Sequence, residues 1–174
     1  MKRAVLLTLL LAAGCSGPVL KTGHVPGWQT VTAAGGFMLA LPRGLKAMPV
    51  QGIDSAVSHF QGSDLTLSTD HGEHGGIPDE QGWTRKEILV DGRRGILTRG
   101  RVANGSDMPF AAVAHFPQPA APTAHGKTPS PYGIWNQSLS LTVTARCGTQ
   151  ASCDLGERAM HSLEFPESFP RSRE

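Results

Sequence analysis

The clearest pattern in the chain lies towards its C-terminus, where Leu139, Leu141, Val143 and Ala145 alternate with Ser140, Thr142 and Thr144. A period of two puts the apolar set on one face of a strand and the hydroxyls on the other, as in a half-buried antiparallel strand. Two earlier stretches repeat it. Phe37, Leu39 and Leu41 alternate with Met38 and Ala40 until Pro42 ends the run, and Leu65 and Leu67 alternate with Thr66 and Ser68. Residues 28–32 predict a strand before the first of these, and Gly35-Gly36 between them predicts a turn, so the domain opens on a hairpin. Residues 53–60 predict a further strand, and residues 70–82 a polar, glycine-rich loop. Residues 83–90 and 93–102 flank Asp91-Gly92, a pair suited to the positive φ that a type I′ turn needs at both central positions. Residues 110–116 are apolar enough for a strand covered on both faces.

Between 117 and 131 the pattern stops, because prolines at 117, 119, 122, 129 and 131 each lack the N–H that a strand donates. This stretch predicts a surface excursion. After the alternating strand the period lengthens: Leu155, Ala159 and Leu163 share one helical face, with Met160 beside it. Asp154 with Glu157 three residues on makes a capping-box-like start, and the helix ends before Pro166. The sum predicts an α+β fold: a twisted, mostly antiparallel sheet of about seven or eight strands with a C-terminal helix packed on one face.

The first fifteen residues follow another logic. Lys2 and Arg3 form a cationic head, residues 4–11 run without a charge, and the small residues Ala12-Ala13-Gly14 lead into Cys15. This is the layout of a secretory signal. The order Leu11-Ala12-Ala13-Gly14-Cys15 resembles the lipobox of bacterial lipoproteins, with Ala12 where Leu is commoner. The resemblance implies that residues 1–14 are removed and that Cys15 is lipidated on its sulfur and becomes the new N-terminus. Several acyl chains on one residue anchor stably, where a single chain does not. Ser16 after the cysteine, in place of Asp, favours the outer membrane by the same resemblance. The organisation expected is therefore a signal peptide over 1–14, a lipidated cysteine and tether over 15–26, one globular domain over 27–166, and a flexible tail over 167–174.

Charge and cysteines take on a different meaning in that light. Lys2 and Arg3 belong to the leader, so the sixteen basic residues of the whole chain fall to fourteen, matching the fourteen acidic ones. A near-neutral chain has no basic field to hold nucleic acid. Beyond Cys15 no apolar run approaches the ~18 residues a membrane helix needs, so the chain is expected to be anchored by lipid without spanning. Cys147 and Cys153 are the remaining cysteines. In an oxidising compartment they are expected to pair, and their five intervening residues differ from the two of a redox motif.

The opening Phe37-Met-Leu-Ala-Leu-Pro42-Arg-Gly44-Leu, the Asp91-Gly92 hairpin and the final strand-then-helix ending in Ser162-Leu-Glu-Phe165 together resemble the layout of PsbP-like α/β sandwich proteins. That resemblance implies a small binding or assembly domain in an envelope compartment. It carries over no functional residue.

Candidate chemistry is sparse. Asp70-His71-Gly72-Glu73-His74 places two imidazoles and two carboxylates within five residues, and His71, Glu73 and His74 could ligate zinc or copper from a glycine-rich loop. The same residues also read as a solvated turn, since they fit no recognised ligand spacing. Arg85, Lys86, Arg93, Arg94, Arg99 and Arg101 gather positive charge on the central hairpin. They could receive an acidic partner, or they could guard the edge of a sheet. No GxSxG elbow or SxxK pair occurs. Gly126-Lys127-Thr128 echoes a phosphate loop but has Ala121 where its first glycine belongs. No motif implies a cofactor. The reading that follows is a non-enzymatic, lipid-anchored envelope protein that binds another protein or an envelope component. A periplasmic metal-binding protein and a periplasmic inhibitor of a toxin or hydrolase are the alternatives.

Overall fold

The computed structural model describes residues 26–72, 81–102, 106–118 and 139–169. In chain order the elements are β1 (Trp28–Thr32), β2 (Met38–Pro42), β3 (Lys46–Met48), β4 (Ala56–Gln61), β5 (Leu65–Gly72), β6 (Thr84–Val90), β7 (Arg93–Arg101), β8 (Phe110–Pro117), β9 (Ser140–Cys147) and the helix α1 (Gln150–His161). Strands β1 and β2 pair as a separate hairpin, and the other seven form one sheet in the order β3-β4-β5-β9-β8-β7-β6. Every pairing is antiparallel. The expected α+β fold, mostly sheet with one C-terminal helix packed on it, is the fold observed.

Alternation along the central strands separates the faces. Leu141, Val143, Ala145 and Cys147 of β9 stand in rows with Leu65, Leu67 and Thr69 of β5 and with Ala112, Ala114 and Phe116 of β8, and all of these are buried. Helix α1 lays Cys153, Gly156, Ala159 and Met160 on that face. Gly156 sets how closely it lies: a Cβ there would come within 2.6 Å of the Ala145 methyl. The β1–β2 hairpin covers the rest with Phe37, Leu39 and Leu41. Its link to the helix is direct, because Met38 and Glu164 exchange backbone hydrogen bonds and Ser162 Oγ accepts from Ala40 N at 2.8 Å. No helix among the described residues is long and apolar enough to cross a membrane.

Five expectations change. Of the proline-rich excursion expected over 117–131, Pro117 instead ends β8 opposite Ser140, and residues 119–131 lie outside the described residues. The strand expected over 53–60 starts at Ala56 with Ile53 fully exposed, and the short edge strand β3 precedes it. Asp70, His71 and Gly72 are not loop: they continue β5, because β4 on one side and β9 on the other supply ladder partners as far as Gly72. Pairing on both edges overrides the poor strand propensity of Asp and Gly. The helix begins earlier than Asp154. Thr149 is its N-cap, and Thr149 and Ser152 form the capping box, each side chain accepting from the other's backbone N–H. Leu155 consequently turns outward at 36 % exposure, and Leu163 is buried beyond the helix end. Lastly, packing continues past 166, since Phe169 is 3 % exposed within the core.

Candidate functional site

The β6–β7 hairpin forms one edge of the main sheet and holds all six cations singled out above. Its turn is the one expected, with Asp91 at φ 47° and Gly92 at φ 73°. Residues flanking a two-residue turn exchange both backbone hydrogen bonds. Val90 and Arg93 are therefore a bonded pair, and the ladder bonds of β6 alternate from there through Ile88, Lys86 and Thr84. Thr84 Oγ1 also donates to Arg99 O at 3.1 Å, in keeping with that phase. The N–H and C=O groups of Arg85, Glu87 and Leu89 consequently point away from β7, along an edge that no described strand covers. Leu89 is 67 % exposed, and Arg85 and Glu87 are exposed and make no ion pair with a described residue. Just before β6, Trp83 lies over Gly100, where a Cβ would strike the indole, and its Nε1 donates to Arg101 O at 2.9 Å.

The hairpin cations do not form one patch, because alternation sends them to opposite faces. Arg99 reaches under the helix: Nη1 donates to Asp154 Oδ1 at 2.6 Å and Glu157 Oε1 at 2.7 Å, and Nη2 to Gln150 Oε1 at 2.6 Å. Burial pulls the Arg99 pKa down, but the hydrogen bonds and charges of Asp154 and Glu157 outweigh it and leave it above the usual value. Lys86 meets Glu157 from the other side at 3.4 Å. These groups border a cleft of about 210 Å³ lined by Thr84, Arg85, Lys86, Leu97, Arg99 and Glu157. That is below the ~300 Å³ at which small-molecule sites begin. Arg93 is 4 % exposed and holds the segment after the helix: Nη2 donates to Phe169 O at 2.8 Å, Nη1 to Asp91 Oδ2 at 2.7 Å, and the guanidinium lies 4.7 Å from the Phe165 ring centre. Arg101 lies over Phe110.

The residues expected to carry sites fare differently. Cys147, the last residue of β9, is disulfide-bonded to Cys153 in the first turns of α1, with Cα atoms 5.3 Å apart. His71 sits on β5 and faces the core, its ring 5.1 Å from Phe37 and 6.0 Å from Phe169, with Nε2 buried and unpartnered among the described residues. Phenyl rings offer no ligand to share an ion with it. Glu73, His74 and Cys15 lie outside the described residues, and among those described no group of three or more His, Cys, Asp or Glu is placed to hold a metal.

A polar row that sequence reading missed crosses the face of the sheet away from the helix. His115 of β8, Thr142 of β9 and Asp70 of β5 stand side by side, and His115 Nδ1 and Thr142 Oγ1 share a hydrogen bond of 3.0 Å. Burial pushes the His115 pKa down, favouring the neutral imidazole. Asp70 Oδ1 is buried without a partner among the described residues. A hydroxyl against an imidazole is the first link of a nucleophile–base pair. Here the carboxylate lies beyond the hydroxyl instead of behind the imidazole, so it is not placed to orient the base. The advance signals were the Thr142 hydroxyl in the alternating strand and the Asp70 carboxylate, which the sequence grouped with His71, Glu73 and His74 instead. The neighbours of Thr142 come from strands distant in sequence. Compared with models of protein families and with curated protein sequences, the chain finds no match in either.

Proposed function

We propose that this chain is a lipid-anchored cell-envelope protein, held at the outer membrane through Cys15. Its domain is a non-enzymatic binding or assembly module that docks a partner strand on the β6 edge. The observation that carries this reading is the edge itself. Arg85, Glu87 and Leu89 direct their backbone donors and acceptors outward along a seven-residue strand, and Leu89 exposes an apolar side chain beside them. A strand added to such an edge gains main-chain hydrogen bonds for affinity and alternate side chains for specificity. The opposite edge, β3, has only three residues and offers far less. Arg99 and Arg93, two of the cations that could have formed a separate acidic-partner patch, are drawn inward by Asp154 and Glu157 and by Asp91 and Phe169.

Two measurements test this. Cys15→Ala is expected to leave the membrane fraction, and a variant that stays firmly in it removes the anchor. A photo-crosslinking amino acid at Leu89 in intact envelopes is expected to give a discrete adduct that the same group at Leu155, exposed on the helix, does not give. Equal labelling from both positions, or none, removes the docking edge.

A further inference from the structure

Resting on that docking edge, we propose that its occupant is β6 of a second copy of this chain, paired antiparallel about a two-fold axis at Lys86. Strand register singles out this pairing. Only residues whose backbone groups point outward stand opposite one another in a bonded pair, so Arg85, Glu87 and Leu89 can meet only residues of the same set or Trp83, which continues it. Two-fold symmetry requires each pair to occur twice or to lie on the axis. An axis at Arg85 sets two arginines against each other, and one at Glu87 sets two glutamates. An axis at Ile88 places Glu87 against Leu89 and leaves Arg85 against the turn. With the axis at Lys86, Arg85 meets Glu87 of the second copy twice, and Leu89 meets Trp83 of the second copy twice.

This register uses the exposed features of the β6 edge. Arg85 and Glu87, without ion-pair partners among the described residues, complement each other across the axis, and the 67 % exposed Leu89 gains the Trp83 indole. Trp83 is already fixed for the contact by its seat on Gly100 and its bond to Arg101 O. Charges on an edge strand ordinarily prevent such pairing. These repel a like strand in the registers centred on Arg85 and Glu87 and attract it in this one. The two Lys86 residues meet at a position without a backbone bond, each drawn aside by its own Glu157 at 3.4 Å. The result is a continuous fourteen-stranded sheet, seven from each copy.

Sedimentation of the full chain in detergent across a concentration series tests this. The wild type is expected to dimerise reversibly. Arg85→Glu and Glu87→Arg, each of which sets like charges opposite each other twice, are expected to weaken the dimer by about tenfold or more. The double variant Arg85→Glu/Glu87→Arg restores the pairs in reversed order and is expected to return within about threefold of wild type. Both positions are exposed, so folding is expected to survive and is checked by an unchanged thermal midpoint. A wild type that stays monomeric, single reversals that dimerise as well as wild type, or a double variant no better than the singles would each overturn the proposal. Failure here is distinguishable from failure of the docking edge: a Leu89 adduct with a different protein overturns only the self-pairing, whereas no adduct overturns both.

Discussion

Arg99 and Glu157 join the sheet to the helix, Nη1 to Oε1 at 2.7 Å, with Asp154 taking the same nitrogen at 2.6 Å. Their side chains are 25 % and 15 % exposed, between a surface pair worth under about 1 kcal/mol and a buried one whose breaking costs about 3–5. Arg99→Ala is expected to lower stability by about 1–3 kcal/mol in chemical denaturation. Lys86→Ala, which removes an outer contact to the same Glu157, is expected to cost no more than about 0.5 kcal/mol. Equal losses from the two would show that Arg99 does not hold the helix.

The Cys147–Cys153 bridge closes a loop with a sequence separation of only six. On the chain-entropy account so short a loop contributes about 2–2.5 kcal/mol, and the buried sulfurs add packing. The Cys147→Ala/Cys153→Ala double variant is therefore expected to lose about 2–4 kcal/mol and to remain folded. Thr149 and Ser152 still cap the helix without it. Complete loss of helical signal would mean that the bridge, and not the cap and the packing of Met160, nucleates α1.

Phe169 packs on Phe37, Phe165 and His71, and its carbonyl receives Arg93 Nη2. Phe169→Ala is expected to cost about 3–5 kcal/mol, the usual range for emptying a core phenylalanine site. Ending the chain at Pro166 is expected to cost more, because the buried Arg93 then also loses a carbonyl acceptor. A truncated chain as stable as the full one would return the domain boundary to 166.

These three contacts also mark how far the sequence could be read. The β9 alternation and the Asp91-Gly92 turn are local signals, and the structure keeps both in place. The hairpin register even contained the split of its cations: once the turn is known, Arg85 and Arg99 must lie on opposite faces. Proximity in sequence hid this and suggested one patch. His71 was misplaced for another reason. Nothing local announces that β4 and β9 will extend β5 through Asp70-His71-Gly72, since β9 pairs there across about seventy residues. The helix start failed on a competing match. Asp154 and Glu157 have capping spacing, but their carboxylates serve Arg99, and the hydroxyls of Thr149 and Ser152 take the cap.

His115 and His161 predict how stability varies with pH. Burial lowers both folded pKa values from 6.5, and at His161 the nearby Lys86 charge lowers it further against a smaller upward pull from Glu157. As pH falls through about 6.5 the unfolded chain takes up these protons first, while the folded chain resists until a lower pH. Stability is therefore full above that range, declines as pH drops through it, and levels off once the folded histidines are protonated too. His115→Asn, which can keep a hydrogen bond to Thr142 without titrating, is expected to make the decline between pH 7.5 and 5.5 shallower. His115→Asn/His161→Gln is expected to flatten it further. Urea midpoints at those two pH values provide the measurement. A double variant with the wild-type slope would place the acid sensitivity on other groups and leave the part-buried His115–Thr142 contact without a part in it.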